Sequence, residues 1–272
     1  MKNLIKKIFI IRRALDFVNA TRYFNQKYFK ILKWTFSSRE DTNFTYDLTE
    51  KNNLELLKTI ESCLDHSFEQ LQKYLDEIQN DDQLKIYLRK KIENSDLKNF
   101  ADRNVRFSRR VGWYIITRAL KPKVLIETGV DKGLGSVVLC AALLKNKEEG
   151  FPGRYYGTDI NEKAGYLLDE KYKSIGEIIY GDSISSLQKF DKMIDLFIND
   201  SDHLASYEYQ EYQTIKNKLS PKALILGDNS HVTDKLLKFS IANDRNFILF
   251  REEPKYHWYP GAGIGISFPK VK

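Results

Sequence analysis

Two short segments concentrate the side chains best suited to chemistry, Asn199-Asp200-Ser201-Asp202-His203 and Gly227-Asp228-Asn229-Ser230-His231. Asp200, Asp228 and Asn229 offer only oxygen donors, the hard set that suits Mg²⁺ or another divalent cation, with waters or substrate oxygens completing an octahedron. His203 and His231 follow within three residues of these acids. An ordinary histidine, with a pKa of about 6.5, can accept a hydroxyl proton near neutrality. Upstream, Glu127-Thr-Gly129-Val-Asp-Lys-Gly133-Leu-Gly135-Ser136 is a glycine turn of the kind that lets backbone approach a ligand and opens into a helix N-terminus. Gly157-Thr158-Asp159-Ile160 places a carboxylate where a ribose diol could be held, and Tyr180-Gly181-Asp182-Ser183 adds a second acid. Either acid would serve equally well as a helix N-cap.

Each of these segments follows an apolar run of strand length, and the runs alternate with helical periodicity. The pattern predicts strands over 123–127, 155–159, 177–180, 194–199 and 223–226. Helices are expected over 135–144, 164–172, 184–190, 207–219 and 233–241. Two further strands, 247–251 and 263–268, lack a helix between them and should pair antiparallel. Such alternation predicts an α/β fold, a doubly wound sheet covered by helices, whose ligands lie beyond the C-terminal ends of its strands. The last two strands enclose Pro254-Lys-Tyr-His257-Trp258-Tyr259-Pro260-Gly261. His257, Trp258 and Tyr259 could form a sugar-stacking wall over the site, or simply a packed turn.

Ahead of the sheet, apolar residues at helical spacing from Leu54 to Leu64, Phe68 to Ile78 and Leu84 to Ile92 predict a helical region over 37–105, with the α/β domain at 106–272. Residues 1–36 differ again. They carry nine Lys or Arg against Asp16 alone, a charge of +8, so the rest of the chain sums to −1. The basic character therefore belongs to an extension, and a nucleic-acid groove across the main domain loses its support. Within the extension Leu4, Ile5, Ile8, Phe9, Ile11, Leu15 and Val18 recur at three- and four-residue steps, the pattern of an amphipathic helix. Such a helix can pack against a neighbouring domain, form a homodimer or lie on an anionic membrane surface. No apolar run is long enough to span a bilayer. With only Cys63 and Cys140, a disulfide scaffold is excluded and a reducing cytoplasm is expected, with the inner membrane face as the alternative reached by peripheral contact.

The order of strand-end residues over 111–268 resembles that of class I S-adenosylmethionine-dependent methyltransferases, which makes the expected fold Rossmann-like and seven-stranded, with six parallel strands and one antiparallel. That resemblance implies a cofactor set of Glu127, Gly129, Gly133, Ser136, Asp159, Asp182 and Asp200. The Asp200, Asp228 and Asn229 set further resembles the divalent-metal O-methyltransferases of the catechol and caffeoyl-CoA type. There, His203 stands where the family has a catalytic lysine. The Asp-x-Asp-His run is more similar to bacterial cephalosporin-hydroxylase-like and macrolide-sugar O-methyltransferases, which act on alcohol hydroxyls.

These resemblances imply an Mg²⁺-dependent O-methyltransferase acting on a hydroxyl of a sugar or glycosylated metabolite. His203 and His231 would be its catalytic residues, and Asp202, His257, Trp258 and Tyr259 would meet the small-molecule acceptor. Two alternatives remain, a NAD-dependent oxidoreductase and a non-catalytic, membrane-associated scaffold. The glycine spacing weighs against the first, because Gly129 and Gly133 stand four apart and depart from Gly-x-Gly-x-x-Gly.

Overall fold

The computed structural model describes residues 9–40, 45–101, 104–202 and 204–270. His203 lies outside these residues, as does the start of the N-terminal helix at Leu4, Ile5 and Ile8. The side chains of Tyr23 and Asn229 are likewise not described.

Seven strands form one sheet: β1 (Val124–Thr128), β2 (Arg154–Asp159), β3 (Gly176–Tyr180), β4 (Ile194–Asn199), β5 (Leu219–Gly227), β6 (Arg245–Arg251) and β7 (Gly263–Pro269). Their order is β3-β2-β1-β4-β5-β7-β6. β7 runs antiparallel to both its neighbours, and the first five strands pair in parallel. The order reverses beside β1, between β2 and β4, which opens the crevice where such sheets bind ligands.

Period-two alternation along the strands sends side chains to two cores. Leu125, Tyr155, Leu196 and Leu224 enter one face, where α5 (Arg110–Leu120) and α6 (Leu134–Glu148) cover them. Ile126, Tyr156, Phe197 and Ile225 enter the other, against Leu187 of α8 (Ser183–Lys189), Tyr212 of α9 (Ala205–Ile215) and Phe239 of α10 (Lys235–Ala242). Burial on both faces explains why the strands read as near-continuous apolar runs.

The helical region supplies α2 (Glu50–Glu61), α3 (Phe68–Gln79) and α4 (Asp82–Glu93), each opened by a side-chain cap from Thr49, Ser67 or Asp81. Leu56, Leu57, Leu71, Leu75 and Leu88 join the same apolar core as Leu125 and Ile264. The region therefore packs onto the sheet domain. α1 (Phe9–Ser37) runs 19 residues past the expected end at Val18 and leaves most of its surface exposed.

Two expectations change. The helix expected over 164–172 shrinks to α7 (Glu170–Lys173). Gly165 adopts φ +77 and a Cβ there would meet Ile178 at 1.9 Å, so the chain turns where a helix would continue. The other change is α5 itself, a helix outside the expected set, which opens at Arg109 and Arg110.

Candidate active site

A cavity of about 890 Å³ opens at the C-terminal ends of β1 to β5. Glu127, Gly129, Asp159, Asp182, Asp200, Asp202, Asp228, His231 and Tyr259 all line it, so one crevice gathers residues from all five strand ends. Gly133 and Ser136 stand behind it. Gly133 opens α6 in the left-handed region, at φ +92, and Ser136 is fully buried.

Ser136 donates to Glu127 at 3.0 Å, and the Tyr155 hydroxyl donates to the same Glu127 oxygen. Burial pushes the Glu127 carboxyl up to about 7, with those two hydrogen bonds opposing the rise. Asp159 is engaged with the glycine turn: its Oδ2 accepts backbone N–H groups from Val130 at 3.0 Å and Asp131 at 2.9 Å, and its Oδ1 accepts from Asn161 at 2.8 Å. This carboxylate holds the turn in shape and still faces the cavity. Asp182 caps α8 through Ser185 at 2.7 Å and accepts the Tyr207 hydroxyl at 2.6 Å. The hydrogen bond from Tyr207, with those from Ser185, holds its carboxyl below the usual range.

Asp200 and Asp228 do converge, as the sequence led us to expect, but an arginine stands between them. Arg109 Nη2 lies 3.3 and 3.1 Å from the two oxygens of Asp200, and its Nε pairs with Asp228 Oδ1. All three side chains are buried. Burial works against the Arg109 charge, but Asp228, Asp200 and Glu252 outweigh it and hold the guanidinium protonated. The Asp200 carboxyl is pushed up to about 7, chiefly by burial and then by the charge of Asp228. The metal expectation thus meets a different arrangement: the two carboxylates already hold a cation, and a second one would be repelled at that point. As it stands, the cluster does not fit a divalent ion. Among the described residues no three His, Cys, Asp or Glu side chains come together as a metal-ligating group.

The neighbouring arginine is the reverse case. Arg110 is buried, lines the cavity, and has Nε and Nη1 without a hydrogen-bond partner. The charges of Asp200, Glu127 and Asp228 act on it, but donors buried without a hydrogen-bond partner are costly, and an anion in the crevice would satisfy them. Sequence reasoning missed both arginines, and Arg109-Arg110 ahead of an apolar helical run was the available signal. It also missed Glu211, buried beneath the crevice, which accepts from Ser201 Oγ at 2.7 Å and also from Ser183 and Asn199.

His231 Nδ1 lies 3.0 Å from the Asp228 carbonyl oxygen. A carbonyl can only accept, so Nδ1 carries the proton and Nε2 is the basic nitrogen. Of the aromatic trio, only Tyr259 reaches the cavity. His257 stacks on Trp258 with ring centroids 5.8 Å apart and faces Glu40 at 3.3 Å, while Trp258 meets Trp34 of α1 edge-on. These two rings therefore line an adjoining basic crevice with Lys30, Lys33 and Arg39.

The crevice at the reversal of strand order, with an acid at the end of each of the first five strands, defines the class as a Rossmann-like fold, and residues 126–230 match a family model described as a methyltransferase domain. Solved structures share the fold. The SAH-bound methyltransferase PaMTH1 of Podospora anserina aligns over 70% of this chain and 88% of its own, at 16% identity and a TM-score of 0.50. TomG, an O-methyltransferase of Streptomyces achromogenes in complex with SAM, aligns over 68% and 90% at 14% identity and 0.51. A methyltransferase from Geobacter sulfurreducens aligns over 74% and 98% at 16% identity and 0.51. No curated protein matches the chain in sequence.

Proposed function

We propose that the protein is an S-adenosylmethionine-dependent O-methyltransferase acting on an alcohol hydroxyl of a sugar or glycosylated metabolite. The observation that carries this reading is Arg110, whose buried Nε and Nη1 lack hydrogen-bond partners, in the same crevice as Asp159 and Asp182. The cofactor has an amino-acid carboxylate for the first, a ribose diol for the second and an adenine edge near the third. The glycine turn and the buried Glu127 complete a cradle that carries no phosphate-binding fingerprint. Bound there, S-adenosylmethionine supplies an electrophilic methyl group.

The chain's own residues then have distinct tasks. Asp159 fixes the turn and accepts the ribose hydroxyls. Arg110 neutralises the carboxylate, and Asp182 limits the far end of the crevice. On the acceptor side His231 Nε2 takes the hydroxyl proton, with Nδ1 anchored on the Asp228 carbonyl. His203, placed by the sequence on the same strand-end loop as Asp200, is the second candidate base. Tyr46 and Tyr259 line the cavity alongside Asp202 and Thr233. Aromatic faces beside hydrogen-bonding groups suit a polyol, which supports a sugar acceptor.

Isothermal titration of the full chain with S-adenosylmethionine tests the reading. Binding should appear in the wild type and fall at least about 10-fold in Asp159→Ala, one tenfold step being about 1.4 kcal/mol. A wild type that binds NAD and no S-adenosylmethionine would instead make it an oxidoreductase.

A further inference from the structure

We infer that Arg109 takes the place of a divalent cation between Asp200 and Asp228, so that this site binds no metal and needs none. The part concerning turnover rests on the methyltransferase reading, whereas the part concerning metal binding does not.

Three contacts hold the guanidinium. Its Nη2 meets both Asp200 oxygens and its Nε meets Asp228. Its Cζ also lies 5.5 Å from the centre of the Trp113 ring, one turn along α5. The backbone is fixed as well. Ser108 exchanges hydrogen bonds with Tyr46, its N–H donating to the Tyr46 carbonyl at 3.1 Å and its Oγ accepting from the Tyr46 N–H at 3.0 Å. Arg109 thus enters the crevice from a pinned turn.

An arginine cannot give up its charge, and its planar fork matches carboxylates as a metal ion does. It differs in one respect: it cannot be removed by a chelator. A divalent ion could take these oxygens only if Arg109 left a buried position between two acids. Arg109 is thus a positioning residue, orienting both carboxylates and keeping a positive charge at the acceptor end of the cavity.

The test is Mn²⁺ binding followed by electron paramagnetic resonance. Wild type should show no stoichiometric site, and its melting temperature should be unmoved by Mn²⁺ or by EDTA. Arg109→Met should uncover the two acids and gain one Mn²⁺ site, at least 10-fold tighter than any wild-type binding, lost again when Asp228→Asn is added. Arg109→Lys should keep the wild-type silence. A stoichiometric wild-type site that disappears in Asp228→Asn overturns the proposal, as does a folded Arg109→Met that gains nothing. If Arg109→Met does not fold, the comparison of wild type with Asp228→Asn decides alone. Titrating S-adenosylmethionine into the same samples separates the two readings, because failure to bind it sinks the methyltransferase reading and leaves the metal result standing.

A second, independent observation concerns α1. Its 29 residues span about 43 Å. Trp34 seats one side of the helix on Trp258 at 5.4 Å. The opposite arc carries Ile10, Phe17, Val18, Phe29, Leu32 and Phe36, all exposed, with Phe36 at 84%. Arg22 and Lys33 border one edge of that arc, Arg13 the other, and Asp16 is the only acid on the helix. The geometry points to an anionic phospholipid surface as the partner, since apolar residues flanked by cations match acyl chains flanked by phosphates. No described helix is long and apolar enough to cross a membrane. The full chain should sediment with vesicles of phosphatidylcholine mixed with phosphatidylglycerol, not with phosphatidylcholine alone, and Phe17→Glu with Phe29→Glu should abolish this. A dimer in light scattering that the same pair of changes dissociates, or failure to bind the anionic vesicles, overturns the proposal.

Discussion

The backbone of Gly129 lies directly against Asp200: a Cβ built on Gly129 would sit 1.9 Å from the Asp200 carbonyl oxygen. The turn after β1 and the loop after β4 are therefore packed backbone to backbone, which sets the depth of the crevice between them. Gly129 also takes φ +82. Gly129→Ala should cost at least about 2 kcal/mol, from the left-handed conformation and the clash together. Urea denaturation measures this, and cofactor affinity should fall in parallel.

Arg110 should separate stability from binding. Its guanidinium is buried without hydrogen-bond partners at Nε and Nη1 but beside the charges of Asp200 and Glu127, so Arg110→Met removes a desolvation cost and an attraction together and should leave the melting temperature little changed. The same change should weaken S-adenosylmethionine binding at least about 10-fold, equivalent to about 1.4 kcal/mol. A variant that melts lower and binds normally would contradict the assignment of Arg110 to the cofactor carboxylate.

Glu211 predicts a pH dependence of stability. Burial raises its carboxyl to about 7 from 4.5, against opposing hydrogen bonds from Ser183, Ser201, Thr128 and Asn199. The folded state thus holds the proton more tightly than the unfolded state. Below about pH 4.5 both states are protonated and nothing is lost; between there and about pH 7 the unfolded chain ionises first, and stability falls as pH rises. Glu211→Gln cannot ionise. Its stability relative to wild type should therefore climb from pH 5 to pH 8, by about 3 kcal/mol at most, as read from denaturation midpoints across that range.

His231 should matter to turnover and little to cofactor affinity. With Nδ1 bound to a carbonyl oxygen, His231→Gln keeps a polar side chain but loses the base. Turnover should drop by about 10²- to 10⁴-fold, while S-adenosylmethionine titrations remain within about twofold of wild type, a difference of about 0.4 kcal/mol. An unchanged rate would shift the role to His203.

The strands were legible because their apolar runs are local, and a parallel sheet buried on both faces needs such runs wherever it lies. The acids at the ends of β1 to β5 were legible for the same reason: the strand periodicity places them at one edge without knowledge of the contacts. That locality ends where partners come from afar. Arg109 lies 91 residues before Asp200, and nothing in the spacing of Asp200 and Asp228 reveals that a distant cation will occupy the point where their oxygens meet. The same holds for Trp34, which draws His257 and Trp258 away from the cavity and leaves Tyr259 on its wall. Sequence alone determined which acids stand at the strand ends; only tertiary packing brought Arg109 and Arg110 among them and decided which acids were already paired, because pairing depends on charge and burial in space, and neither is a local property of the chain.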